Sequence, residues 1–147
     1  MSRIQKIIEN IINIRSVENE IELKKLDDNL IELFEQQNPE LAIDALLNLF
    51  ERFPDKDGFG VFWSILHGIE ALPNYEEKLI ESVKRQPSEF GLLMINRLLN
   101  SGRKEVDGIN LIIFLQQLAT DQNQSEETRK DARDFVDTQQ NRDSNQI

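Results

Sequence analysis

The chain's one histidine, His67, follows Trp63 by four residues and precedes Glu70 by three. On a helix all three share a face. A histidine oriented by a carboxylate suits general-base work, but that chemistry needs a nucleophile or a held water beside it. Ser64 and Ser82 are ordinary helix serines, so the simpler expectation is a partly buried histidine, hydrogen-bonded at a helix–helix contact. Metal chemistry has less to draw on, because one histidine and no cysteine leave only carboxylates as ligands. Asp55-Lys56-Asp57-Gly58 opens like a calcium loop, yet Phe59 to Trp63 is apolar where the remaining ligands belong. Gly58-Phe59-Gly60 lacks the third glycine and the preceding strand of a phosphate cradle.

Asn96-Arg97-Leu98-Leu99-Asn100 interrupts an apolar helix with polar groups. The two asparagines stand on one face. Arg97 is expected to pair with a carboxylate of a neighbouring helix, Glu70 or Glu81, and so to hold two helices in register. A contact from Arg97 to a ligand or partner is the functional alternative. The expectation is therefore a protein that binds rather than catalyses, with no catalytic, cofactor-binding or metal-ligating residues. A ligand-binding or enzymatic use of His67, Glu70 and Arg97 stands as a minor alternative.

Charge is the loudest remaining signal. There are 17 Lys+Arg against 27 Asp+Glu, a net charge of −10. Residues 16–58 carry 12 acids and 4 bases, whereas residues 83–105 carry 2 acids and 5 bases. An anionic surface repels nucleic acid and anionic membranes and accelerates association with basic proteins. It also serves plain solubility.

The elements that would carry these residues read as helices. Apolar residues recur at three- and four-residue spacing, and no convincing strand appears. Punctuation divides the chain into about eight helices: Ser2 to Ile14, Val17 to Gln37, Pro39 to Phe53, one from Asp57 through Ile69, Tyr75 to Arg85, one from Pro87 to Gly102, one opened by Asp107, and one from Ser125 to Thr138. Leu41 is expected inside, and Asn74 with Glu77 reads as a capping box. The fourth helix is apolar on most sides, as for a helix enclosed by neighbours. Short connections imply antiparallel pairs, and stacked pairs make a HEAT- or armadillo-like α-solenoid; an irregular helical bundle is the alternative. Residues 1–138 make one domain, and the polar segment 139–147 reads as a disordered tail. No window holds the ~20 apolar residues of a membrane span, and the N-terminus has no signal-peptide pattern.

The central stretch is distinctive: Gly60-Val61-Phe62-Trp63-Ser64-Ile65-Leu66-His67-Gly68-Ile69-Glu70, then Tyr75, Leu79 with Ser82, Arg85-x-Pro87 and Asn96-Arg97-Leu98-Leu99-Asn100. Across roughly residues 58–136 it resembles bacterial immunity proteins of polymorphic-toxin and contact-dependent growth-inhibition systems, of the small helical type with HEAT-like packing. The resemblance implies a cytoplasmic protein without cofactors. It would bind a cognate toxin domain, often a basic nuclease, and block it sterically and electrostatically. A helical-repeat adaptor for an endogenous protein or peptide is the other reading. No nucleic-acid or membrane partner is expected, and a monomer is the simpler state. The resemblance implies that the central motif serves the fold and that contact faces differ between pairs. The charge pattern outside the motif therefore selects Glu18, Glu22, Asp28, Glu32, Glu35, Asp55 and Asp57 as partner-binding residues.

Overall fold

A computed structural model describes residues 1–144. Eight α-helices dominate: α1 (Arg3–Ile12), α2 (Glu20–Phe34), α3 (Ile43–Arg52), α4 (Val61–Glu70), α5 (Glu76–Arg85), α6 (Glu89–Asn100), α7 (Leu111–Thr120) and α8 (Glu126–Ser144). Local chemistry sets most boundaries. The Ser2 hydroxyl accepts the Gln5 N–H while Gln5 accepts the Ser2 N–H, a complete capping box on α1. Asn19, Ser88 and Asn110 accept backbone N–H groups at the starts of α2, α6 and α7. Gly102, at φ 92°, ends α6. The N–H of Arg103 reaches Leu98 O and that of Gly102 reaches Leu99 O, the paired bonds of a left-handed helix stop.

The helices pack in two layers. Sequential pairs α1–α2, α3–α4, α5–α6 and α7–α8 touch, α1, α3 and α5 adjoin in one layer, and α2, α4, α6 and α8 adjoin in the other. This is the stacking of an α-solenoid. Arg52 fastens the first layer by donating to the Ile11 and Ile14 carbonyls at the end of α1. Phe50, Phe62 and Phe90 fasten α3, α4 and α6 together, with ring centroids 5.1–5.6 Å apart. The Phe34 ring lies on Gly68, where a Cβ would collide with it, so α2 closes on α4.

Several expectations are corrected. The enclosed helices are α3 and α6 rather than α4, which buries Phe62, Ile65, Leu66 and Ile69 on one side only. Pro39–Ala42 is a separate 3₁₀ turn that leaves Leu41 61% exposed. Asn74 sits at φ 60° and makes no cap; Tyr75 occupies that position without a side-chain bond. Asp107 does not open α7. With Gly108 it forms the turn of a short antiparallel hairpin, β1 (Glu105–Val106) and β2 (Ile109–Asn110), both turn residues having positive φ. The last helix does not stop at Thr138. It continues to Ser144, and Gln139, expected in a disordered tail, is only 5% exposed. The rest of that segment, 145–147, lies outside the described residues. Among the described residues no helix is long and apolar enough to cross a membrane.

Candidate functional site

Because α2, α4, α6 and α8 stack in one layer, the starts of these helices gather along one edge. Helix N-termini favour acidic side chains; α2, α6 and α8 carry acids in their first turns, and the loop before α4 carries Asp55 and Asp57. Two adjoining clefts follow this edge. One is lined by Glu18, Asp55, Lys56, Asp57, Phe59 and Glu89, among others. The second includes Asp55, Glu89, Glu127 and Asp131. Asp55 and Glu89 belong to both, and among the described residues Lys56 is the one cation lining either cleft.

The edge is held rigidly. The Glu89 N–H donates to Pro54 O at 2.8 Å, tying the first turn of α6 to the loop that carries Asp55 and Asp57. The Asp57 carboxylate accepts the Phe59 N–H at 3.0 Å and caps the 3₁₀ turn Gly58–Gly60 that leads into α4. Lys56 Nζ lies 2.7 Å from Glu18 Oε1, joining the same loop to the start of α2 and raising the Lys56 pKa. Desolvation, and then the negative field of Asp131, Asp57, Glu127 and Asp55, pushes the Glu89 carboxyl above its ordinary range. Desolvation and Glu127 do the same to Asp131. A carboxyl raised in this way, by desolvation first and neighbouring acids second, opposes folding once it is ionised.

An aromatic residue projects beside them. Phe59 has φ 51° and ψ 42° between Gly58 at φ 58° and Gly60 at φ 93°, so three consecutive residues are left-handed. Asn74 and Asp107 are the only other non-glycine residues with positive φ among those described, and Asn and Asp tolerate that region. Phenylalanine does not. Phe59 is also 76% exposed, so little packing offsets the strain.

The seven acids selected by charge pattern separate into two groups. Glu18, Asp55 and Asp57 meet on this edge. Glu22 instead accepts the Arg15 N–H and pairs with Lys25, which lowers its pKa and fixes the α1–α2 turn. Asp28 pairs with Lys24 and Glu32 with Arg3, while Glu35 caps the end of α2. Glu89, Glu127 and Asp131 lie outside the seven, because nothing in their local sequence sets them apart from ordinary helix acids. Only the shared direction of the even-numbered helices brings those starts together.

His67 is not held at a helix–helix contact: its side chain is 62% exposed and Nδ1 stands 4.0 Å from Glu70 Oε1. Arg97 takes both Glu70 oxygens, at 2.8 and 2.9 Å. The cleft beside that pair includes Glu70, Tyr75, Arg97 and Asn100 but not His67. Burial and the Glu70 charge push the Tyr75 phenol up to about 12, so it stays a neutral phenol at physiological pH. The cationic stretch 83–105 is largely neutralised within the fold: Arg85 pairs with Glu51, Lys84 with Glu81 and Arg97 with Glu70. Among the described residues no group of three or more His, Asp or Glu is arranged to hold a metal ion. No protein-family model, curated protein or solved structure matches this chain.

Proposed function

We propose that the protein is a cytoplasmic immunity protein that binds a cognate toxin domain, of a basic nuclease kind, and blocks it sterically and electrostatically. The observation that carries this reading is the acidic edge. Carboxylates from four separate segments, Glu18, Asp55 with Asp57, Glu89, and Glu127 with Asp131, share two adjoining clefts with one lysine. Desolvation and the neighbouring carboxylates disfavour the ionised forms of Glu89 and Asp131, so the retention of acids here is more readily explained by a cationic partner than by solubility, which scattered acids would serve as well. A basic substrate-binding cleft is such a partner, and opposite fields accelerate its capture. The reading also rests on the resemblance of residues 58–136 to immunity proteins.

The reading requires a toxin domain encoded beside this protein's gene, and that domain tests it directly. Co-expression with the wild-type protein should keep cells alive. The combined Asp55→Lys, Glu89→Lys and Asp131→Lys variant, folded by circular dichroism, should lose protection. Death of cells in which both wild-type proteins are soluble overturns the proposal. The two-layer stacking also supports an adaptor for an endogenous basic protein. Recovery of such a protein, with no toxin binding, would select that reading.

A further inference from the structure

Resting on the reading of the acidic edge as the contact face, we infer that Phe59 and Trp63 are its apolar anchor and receive a partner segment that carries an apolar residue flanked by lysines or arginines. Both aromatics are set against the first turn of α6. Phe59 lines the cleft that contains Glu89. Trp63, four residues on, turns its ring edge-on to Phe90 at 5.3 Å, and Phe90 is the next residue after Glu89. Trp63 remains 43% exposed despite that contact.

Two physical features select the occupant. Large exposed aromatics ringed by charge have the composition of binding hot spots, where a central anchor excludes water and the rim sets orientation. The rim here carries net negative charge, with Glu18, Asp55, Asp57 and Glu89 against one lysine, Lys56, lining the same cleft as Phe59. A segment that covers the aromatics must therefore bring cations to these carboxylates, and charge complementarity disfavours an acidic segment, as the net charge of −10 disfavours a second copy of this chain. Phe59 is presented by a strained backbone that glycine would relax. Such strain persists where the surroundings over-determine it, commonly at contact sites.

Trp63 is the only tryptophan, so its fluorescence reports directly on this site. The probe is a synthetic helical peptide of about 18 residues, long enough to form a helix on binding, with leucines on one face and lysines on the others. It should shift Trp63 emission to shorter wavelength, saturably and less at high salt. A peptide of the same length with glutamate in place of lysine should not. Phe59→Gly, whose backbone suits the turn, should weaken the lysine peptide about thirtyfold, and Glu89→Gln should weaken it less. Ile113→Ser, at an exposed apolar position on α7, should leave binding unchanged. Binding that ignores Phe59→Gly, falls equally in Ile113→Ser or leaves Trp63 emission unmoved overturns the inference. The titration contains no toxin. A failed co-expression would remove the immunity reading without touching this result, and indifference to Phe59 would remove the anchor with neutralisation intact.

Discussion

Arg97 lays its guanidinium along the Glu70 carboxylate, Nε 2.8 Å from Oε2 and Nη2 2.9 Å from Oε1, and so ties α6 to α4. The two-point geometry makes Arg97 a more confident donor than an exposed lysine. The pair lies at the surface of the layer, half shielded, so its expected contribution is modest. Arg97→Met should lower stability by about 1 kcal/mol, seen in urea as an earlier midpoint at unchanged slope. Toxin association should not change, since Arg97 lines neither acidic cleft. A large loss of binding with little loss of stability would instead make Arg97 a contact residue.

Gln139 does for α6 and α8 what Arg97 does for α6 and α4. Its amide nitrogen donates to Asn96 Oδ1 at 2.7 Å and to Asn100 Oδ1 at 2.8 Å. Asn96 is buried, so Gln139→Ala leaves it an unpaired acceptor and should cost about 1–3 kcal/mol. Truncation after Thr138 should destabilise at least as much. Urea unfolding of both variants checks this, and unchanged midpoints would restore the disordered tail.

Helix number, the pairing of Arg97 with a neighbouring helix's carboxylate (Glu70 or Glu81 in sequence, Glu70 in the fold) and the Gly102 stop were legible in sequence, because each depends on local spacing or on a charge that must be answered nearby. The end of α8 was not. Gln139 and Arg142 are polar, and only the α6 asparagines brought against them by packing reveal a buried face. The hairpin had its signal in Val106-Asp107-Gly108-Ile109, but two-residue strands carry no periodicity. Leu41 and Trp63 follow the apolar pattern yet are exposed, Leu41 in a 3₁₀ turn and Trp63 off the buried side of α4. For the candidate site, Asp55, Asp57 and Glu18 were readable as loop acids. Glu89, Glu127 and Asp131 required the layer topology.

The raised pKa values of Glu89 and Asp131 make a pH prediction of definite sign. A carboxyl whose folded pKa exceeds its unfolded one binds more protons when folded, so stability falls as pH rises through that window. At neutral pH, above the window, both ionised groups oppose folding. Glu89→Gln and Asp131→Asn should therefore raise the melting temperature at pH 7, and the gain should vanish as pH falls below the ordinary carboxylate range. Melting curves from pH 3 to 8 check this. Destabilisation by either variant at pH 7 would show that the carboxylates support the fold.

Phe59→Gly should also stabilise the free protein. Left-handed phenylalanine costs about 1–2 kcal/mol, and the extra freedom of glycine in the unfolded chain returns about 0.5–1 kcal/mol of that. A net gain of a few tenths to about 1 kcal/mol is expected in urea unfolding. Loss of stability would mean that the exposed ring supports the fold in a way its 76% exposure hides.

The central claim is that a preformed anionic edge captures a cationic protein without chemistry of its own. Stopped-flow association of this protein with the toxin domain that the proposed function requires, followed by Trp63 fluorescence across a salt series, measures it most directly. The wild-type rate should fall steeply with ionic strength, and the Asp55→Lys, Glu89→Lys and Asp131→Lys variant should be slow and nearly insensitive to salt. Equal rates and equal salt slopes for the two proteins would contradict it.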